Sequence, residues 1–190
     1  DNTAVAMVTE EDGVIYANVQ GFLPEGRLEY KTAKEKVDYK RLIHDGECTA
    51  CGDEVIDYLV IEKYIIELSA AYGVEIVQVG YDRYNAISTV QKLEEAGIEC
   101  VEIKQHSSVL HAPTKLLKES ILGGKFKYDN SRLLEINFQN ARCTEDTNLN
   151  KYVNKKKSSG KVDMVVSLIN AIYLLQQEIL FGESFTVQVI

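Results

Sequence analysis

Asp82 stands where an apolar run ends, within residues 77–86, VQVGYDRYNA. The run is β-branched and is bounded on both sides by turn or helix signals, which predicts a short buried strand. Asp82 would then lie where a central strand leaves the sheet, and in open α/β folds ligands gather at such strand ends. An acid there binds a metal ion, accepts a proton or caps the next helix. The position alone leaves these roles open.

A second acid, Asp163, comes just after Ser159-Gly160 and opens the last predicted helix. Acids favour helix N-termini because exposed amides and the helix dipole attract negative charge. Capping is therefore one interpretation of Asp163. The acid is also flanked by Val162 and by the apolar residues 164–166, which hold it close to the core. A carboxylate near a core needs a partner, and a metal ion is one candidate.

Asp82 and Asp163, on distant segments, together make a minimal divalent-cation site. Mg²⁺ and Mn²⁺ prefer carboxylate oxygen and keep several waters. Two such ions a few ångström apart activate water and stabilise the leaving oxygen in phosphodiester hydrolysis. The lysine-rich loop at residues 151–161 would hold a phosphate backbone without reading its sequence. Such loops are usually only solvated, so the loop alone predicts little.

Length and composition indicate one globular domain over residues 1–190, since 45% of the residues are hydrophobic. The net charge of −8 argues against nucleic-acid binding through bulk charge, so any basic surface must be local. No stretch has the length of a membrane-spanning helix, and the N-terminus lacks a signal-peptide pattern. We therefore expect a soluble, intracellular protein.

The four cysteines do not suggest a disulfide framework. Cys48 and Cys51 form a C-x-x-C, which occurs in zinc knuckles and redox pairs. No second C-x-x-C or suitably spaced histidine pair accompanies it, so we predict two thiols in a surface turn. The sequence also lacks a P-loop and a G-x-S-x-G motif. His44, His106 and His111 are scattered, and we interpret them as ordinary histidines.

The elements that must position these acids follow from hydrophobic periodicity and from turn residues. A hairpin followed by alternating helices and strands predicts a mixed α/β fold with parallel strands joined by helical crossovers. Residues 24–53 are polar and lysine-rich, and we interpret them as a solvated connection with a short helix; a basic flap touching phosphates is the alternative. The predicted elements are strands at 3–8 and 14–22 around a turn at 10–13, a helix at 54–72, a strand ending at 82, a helix marked by Ile87, Val90 and Leu93 and closed by Gly97, a strand at 99–105, a helix at 113–122, an extended piece at 126–128, a helix at 131–141, a loop at 151–161 and a helix at 162–180.

A series of motifs resembles the C-terminal nuclease domain of the large terminase subunit of tailed bacteriophages. No single motif is decisive, but their order and spacing together are specific and run nearly end to end. Tyr84 stands where the family usually has tryptophan, and Leu42 where a tryptophan is common. The matching segments are Asp1-Asn2-Thr3-Ala4 to D-x-T-A, Phe22-Leu23-Pro24-Glu25 to F-L-P-E, residues 37–46 to a basic, aromatic segment, residues 81–86 to Y-D-x-W-N-A, and residues 155–158 with 161–163 to K-x-x-S…K-I-D.

The resemblance implies an RNase H-like α/β fold: a mixed central sheet in which antiparallel hairpin strands precede parallel strands, with helices on both faces. It implies an endonuclease that cuts concatemeric double-stranded DNA during head packaging by a two-metal mechanism, using Mg²⁺ or Mn²⁺. Asp82 and Asp163 match two of the three principal catalytic, metal-binding acids. Asp1 matches a secondary acid that assists the metal site. The DNA-binding residues implied are Lys155, Lys156, Lys157 and Lys161.

The resemblance also implies what lies around this domain. The first principal acid would precede Asp1, so we expect the first strand to be truncated here. The ATPase motor domain would lie upstream in the full polypeptide. The portal protein and the small terminase subunit are the other expected partners, in the cytoplasm of an infected or prophage-carrying bacterium and away from any membrane.

Two other functions remain open from the sequence. Another RNase H-like enzyme, such as a junction resolvase or an integrase-type transferase, would use the same acids, although F-L-P-E and the basic segment argue against it. A non-catalytic module that docks to DNA or to a portal ring fits the missing first acid and the acidic charge. Preference for branched DNA would indicate the first, and DNA binding that is indifferent to metal would indicate the second.

Overall fold

The computed structural model describes residues 2–83 and 87–181, which form a mixed α/β fold. None of the helices in these ranges is long and apolar enough to cross a membrane. The strands are β1 (Thr3–Glu11), β2 (Val14–Leu23), β3 (Cys48–Ala50), β4 (Val79–Tyr81), β5 (Cys100–Glu102), β6 (Phe126–Tyr128), β7 (Cys143–Glu145) and β8 (Lys151–Val153). The helices are α1 (Leu28–Glu35), α2 (Tyr39–His44), α3 (Tyr58–Tyr72), α4 (Ile87–Glu95), α5 (Ser107–Leu122), α6 (Arg132–Asn140) and α7 (Asp163–Phe181).

The predicted N-terminal hairpin is confirmed. β1 and β2 pair antiparallel, with Glu11 opposite Val14. Only Asp12 and Gly13 lie between the strands, at φ 52° and 76°. Asp and Gly tolerate left-handed backbone at low cost, and a two-residue turn with φ positive at both positions matches the twist of the strands it joins.

The strands pair in both directions, as predicted, but β4 and β5 form a sheet separate from that of β1, β2, β3 and β6. β2 pairs antiparallel with β1 on one side and parallel with β3 and β6 on the other. β4 and β5 pair parallel and are connected through α4, which confirms the predicted helical crossover. Within the described ranges, β1 pairs only with β2 and β4 only with β5, so each of these two strands has one edge without a strand partner.

Helices cover both faces of the sheet, in agreement with the prediction. Alternate side chains of a strand point to opposite faces. Along β1, Ala4, Ala6 and Val8 pack on the cluster that contains the α7 residues, whereas Val5 packs on the cluster around α3 and α4. The first cluster includes the fully buried Leu168 of α7, so α7 packs along the centre of the fold.

Several predicted boundaries were wrong. α3 begins at Tyr58, four residues later than expected, because the side chain of Asp57 caps it by accepting from Leu59 N. α5 begins at Ser107, so Pro113 lies inside the helix rather than at its start. The segment 24–53 holds α1, α2 and β3, and is therefore more structured than a solvated connection. β8 occupies the beginning of the predicted loop at 151–161.

The prediction of a surface turn at Cys48 and Cys51 was wrong, because both thiols are buried. Cys48 belongs to the cluster on the α7 side of the sheet and Cys51 to the cluster on the α3 side. The chain crosses between two hydrophobic cores at this point. The two thiols therefore serve packing in different cores, and burial raises the pKa of each.

Candidate active site

Asp163 is the first residue of α7. A side chain from α6 holds this end of the helix. Asn137, 3% exposed, accepts a hydrogen bond at Oδ1 from the backbone N–H of Met164 at 3.2 Å. Its Nδ2 donates to the carbonyl of Leu133 at 2.9 Å. The first turn of a helix has unpaired N–H groups, and Asn137, a residue of α6, caps α7 by accepting from one of them. The cap fixes the position of Asp163.

The two oxygens of the Asp163 carboxylate have different surroundings. Oδ1 lies 3.7 Å from the ammonium of Lys155, and the side chain is 22% exposed. Oδ2 is buried and receives no hydrogen bond from any residue of the described ranges. A buried carboxylate oxygen without a donor is costly. A cation at Oδ2 would remove that cost, so this carboxylate fits a metal ion.

Asp82 is half-buried and follows the last residue of β4, which confirms its predicted position at a strand end. β4 lies against α7 through Gly80. A Cβ at Gly80 would come within 2.5 Å of Cδ1 of Ile103 and 3.0 Å of Cδ1 of Leu174. A side chain at this position would have to displace the ends of the Ile103 and Leu174 side chains, so glycine favours the close approach of β4 to α7, the helix that begins with Asp163.

Asp82, Asp163 and Lys155 line one cleft of about 900 Å³. Its walls are residues 2–10 along β1 and residues 74–82 leading through β4. α7 also lines the cleft and is tied to β1 by a hydrogen bond of 3.0 Å from Ser167 Oγ to the carbonyl of Ala4. The two acids that the sequence singled out from distant segments thus line the same cleft.

Three of the predicted DNA-binding lysines lie on a turn that the side chain of Asn154 stabilises by hydrogen bonds. Asn154 Oδ1 accepts from the backbone N–H of Lys156 at 3.0 Å and of Lys157 at 3.2 Å. The side chains of Lys155, Lys156 and Lys157 are exposed. Lys161 is half-buried, and its carbonyl accepts from Asn140. The turn therefore presents three adjacent exposed cations, of which Lys155 lines the cleft that holds Asp163.

Some predicted site residues lie outside the described ranges: Asp1, and Tyr84, Asn85 and Ala86 of the segment after Asp82. Within residues 2–83 and 87–181, no three His, Cys, Asp or Glu side chains cluster in a way that would hold a metal ion. Asp82 and Asp163 are two of several described carboxylates that line the cleft, and the role of Asp1 stays a prediction.

Sequence reasoning missed a buried polar network beside the site. Lys31 on α1 contacts Glu35, and Glu35 accepts a hydrogen bond from the hydroxyl of Tyr39 on α2. Asn2 donates to the same hydroxyl at 3.5 Å. The spacing of four residues from Lys31 to Glu35 to Tyr39 is typical of one helical face and was the available signal. It was overlooked because the surrounding segment is strongly polar.

Comparisons with known proteins identify a family and a common fold. Residues 1–178 match the family described as terminase large subunit, endonuclease domain. The fold is similar to the crystal structure of the HK97 bacteriophage large terminase, with a TM-score of 0.83 and 20% sequence identity, over 92% of this chain and 36% of that one. The large terminase nuclease from thermophilic phage G20c matches with a TM-score of 0.49 and 20% identity, over 62% of each chain. No curated protein matches the sequence.

The comparison with the HK97 protein shows a shared fold over part of that protein. At 20% identity the likeness shows a common fold and nothing about activity. This chain corresponds to about a third of the HK97 protein, since the match covers 36% of that chain.

Proposed function

The chain belongs to the terminase large subunit endonuclease-domain family, and from this premise we propose that it hydrolyses phosphodiester bonds of double-stranded DNA with divalent cations held by Asp82 and Asp163. The observation that carries the proposal is the buried Oδ2 of Asp163, which lacks a donor in the described ranges and belongs to the same cleft as Asp82. Carboxylate oxygens of this kind suit Mg²⁺ or Mn²⁺.

The residues of the cleft have distinct parts in this proposal. Two bound ions would supply an activated water and stabilise the leaving oxygen. Asp163 is kept in place by the Asn137 cap, and Asp82 by the close packing of β4 on α7. Lys155 pairs with Oδ1 of Asp163 at 3.7 Å and is exposed enough to turn to a phosphate oxygen instead.

DNA would be held by the exposed lysines of the turn that follows β8. Lys156 and Lys157 project from a backbone fixed by Asn154, and they carry no sequence-reading geometry. Ammonium groups bind phosphate as point charges, so this contact would be insensitive to sequence and sensitive to salt. The acidic net charge of −8 does not oppose it, because the basic surface is local.

A third carboxylate is part of the proposal. Residues of β1 and β4 line the cleft, and each strand has an edge without a partner in the described ranges, so a strand inserted between those edges would hydrogen-bond to both. The resemblance predicts such a strand, carrying an acid, immediately before Asp1. In a longer polypeptide this strand would bring its acid beside Asp82 and Asp163, where Asp1 would assist.

The wider context is proposed from the resemblance to the family. We place the domain behind an ATPase motor in a full terminase subunit, cutting concatemeric phage DNA in the bacterial cytoplasm. The small terminase subunit and the portal protein would be its partners. These proposals concern a larger protein than the domain described. Reconstituted DNA packaging tests them, whereas substitutions of the cleft residues do not.

Cleavage of supercoiled plasmid with Mn²⁺ or Mg²⁺ tests the nuclease directly. The assay compares this chain with one extended by the preceding strand, each with and without Asp163→Asn and Asp82→Asn. Asp45→Asn is the matched control, because Asp45 is exposed and lies outside the cleft. We expect metal-dependent cleavage in the extended chain and the control, and none in the two cleft variants. DNA binding without cleavage, indifferent to metal, would support the docking module, and preference for branched DNA would support a resolvase.

A further inference from the structure

Lys155 places a cation against the carboxylate that we propose as a metal ligand. Its ammonium lies 3.7 Å from Oδ1 of Asp163. The side chain of Lys155 is 55% exposed and lines the same cleft as Asp82 and Asp163. Its backbone leads into the turn whose amides donate to the side chain of Asn154. The base of Lys155 is thus held in place, whereas rotation of the exposed side chain can bring its ammonium to other partners.

The ammonium and a metal ion would share one carboxylate. Oδ2 of Asp163 is the buried oxygen that receives no hydrogen bond from the described residues, and Oδ1 is the oxygen nearest to Lys155. Cations at the two oxygens would lie only a few ångström apart, and like charges at such distances repel each other even near a protein surface. The ammonium also offsets part of the negative charge that attracts the metal ion. Lys155 in its observed position therefore opposes the binding of a divalent cation.

A DNA phosphate would offer this ammonium a second partner. Lys156 and Lys157 are exposed on the same turn, so a phosphate backbone bound by them would pass close to Lys155. An ammonium binds phosphate as a point charge, without the fixed geometry that a guanidinium requires. Transfer of Lys155 from Asp163 to a phosphate would remove the opposing cation from the carboxylate. A metal ion at Asp163 would push the ammonium in the same direction, so both ligands favour the same position of Lys155.

We propose that Lys155 exchanges between Asp163 and a DNA phosphate, and that this exchange makes DNA and divalent cations bind to the cleft cooperatively. The inference rests on the proposed metal site at Asp163. By thermodynamic linkage, DNA raises the affinity for metal by the same factor by which metal raises the affinity for DNA. In the absence of DNA the paired ammonium lowers metal occupancy. The cleft thus holds its cations most firmly when the substrate is present.

Binding of Mn²⁺ to the chain without DNA tests the first half of the exchange, with the electron paramagnetic resonance signal of the free ion as the readout. Lys155→Met should lower the Kd for Mn²⁺ about two- to five-fold, the range that a partly exposed ion pair supports. Lys155→Arg keeps the charge and should stay near the parent. Lys63→Met is the matched control, because Lys63 is exposed and pairs with Glu67 on α3, outside the cleft. Equal Kd values for Lys155→Met and Lys63→Met would overturn the inference.

Binding of a labelled short duplex without metal, followed by fluorescence anisotropy, tests the second half. Asp163→Asn releases Lys155 from its pair, so it should tighten DNA binding in the parent and tighten it less in the Lys155→Met background. Lys156→Met is the matched background, because Lys156 is exposed on the same turn but does not line the cleft. There Asp163→Asn should act as it does in the parent. The double-mutant cycle isolates the contribution of the pair. An equal effect of Asp163→Asn in all three backgrounds would overturn the inference.

Asp163→Ala separates this inference from the proposed function. If Mn²⁺ binding is absent or does not depend on Asp163, the metal site and this inference both fail. If it depends on Asp163 but either test gives the same result with and without Lys155, only this inference fails. Thermal melting without metal identifies any variant that does not fold, and Lys155→Arg then serves as the folded reference for the charge.

Discussion

The ammonium of Lys155 lies 3.7 Å from Oδ1 of Asp163, while Oδ2 of the same carboxylate is buried with no donor in the described ranges. The carboxylate is therefore paired on its exposed side and unsatisfied on its buried side. Lys155 stabilises the charge only in part, because its side chain is 55% exposed and solvent weakens the pair. The unsatisfied oxygen makes the site less stable on its own and ready for a cation, as expected where function and stability compete.

Asp163→Asn should abolish stabilisation by metal. A ligand that binds only the folded state at a hundred times its Kd adds about 2.7 kcal/mol to the free energy of unfolding. Saturating Mn²⁺ should therefore raise the melting temperature of the parent and of Asp45→Asn, but not that of Asp163→Asn. Without metal, Asp163→Asn should melt no lower than the parent, because it removes a buried, unsatisfied charge. A Mn²⁺-dependent rise in melting temperature in Asp163→Asn would contradict the site.

Lys156→Ala with Lys157→Ala should weaken DNA binding uniformly across sequences. Each lost phosphate contact reduces the slope of log K against log salt by about 0.9. Titration of a short duplex without metal, at several salt concentrations, measures that slope. Lys63→Ala is a suitable control, because its exposed lysine lies on α3. Equal slopes for the double variant and the control would exclude the turn as the DNA contact.

Asn137→Ala should destabilise the fold by about 1–3 kcal/mol. It removes the acceptor for Met164 N and leaves the carbonyl of Leu133 without its side-chain donor, and losses of caps and buried hydrogen bonds have this size. Urea denaturation measures the change, with Gln139→Ala on the exposed side of α6 as the control. A denaturation midpoint equal to the control's would show that the cap is unimportant.

Gly160→Ala should disturb the lysine turn through Asn140. An added Cβ would come within 2.6 Å of Nδ2 and 2.8 Å of Cγ of Asn140, whose amide donates to the carbonyl of Lys161. We expect lower stability and weaker DNA binding. In the double variant with Asn140→Ala the clash is absent, so the double variant should be no less stable than Asn140→Ala alone. Simple additivity of the two single losses in a double-mutant cycle would argue against the clash.

Stability should fall at alkaline pH. Burial raises the pKa of Cys48 and of Tyr64, each to about 12. In the unfolded chain these groups ionise near their ordinary values of about 8.5 and 10. Above about pH 9 the unfolded state therefore binds fewer protons than the folded state, and the free energy of unfolding decreases as pH rises. Urea midpoints at pH 8 and 10.5 measure the loss, which should be smaller in Cys48→Ala than in the parent; a loss of equal size in both would exclude this contribution of Cys48.

Local patterns in the sequence were sufficient to predict the strands and the helix that carry the candidate site. The hairpin, the strand that ends at Asp82 and the helix that begins at Asp163 were each predicted, because hydrophobic period and turn residues are read within a few neighbouring positions. α7 was predicted almost to its ends for the same reason. The family was also identified from motif order, which needs no structure, and the matching residues 1–178 confirm it.

Only the tertiary structure decided which polar residues are buried and what they contact. Lys31 and Cys51 lie in segments that read as solvated, yet both are buried, and Cys51 packs in a cluster with Ile61 and Leu93, which are distant in sequence. Asn137 caps a helix that begins 26 residues after it, and no local pattern marks that contact. The open edges of β1 and β4 depend likewise on how strands far apart in sequence are arranged. Burial and capping between segments depend on long-range packing, whereas helix and strand periods are encoded in neighbouring residues.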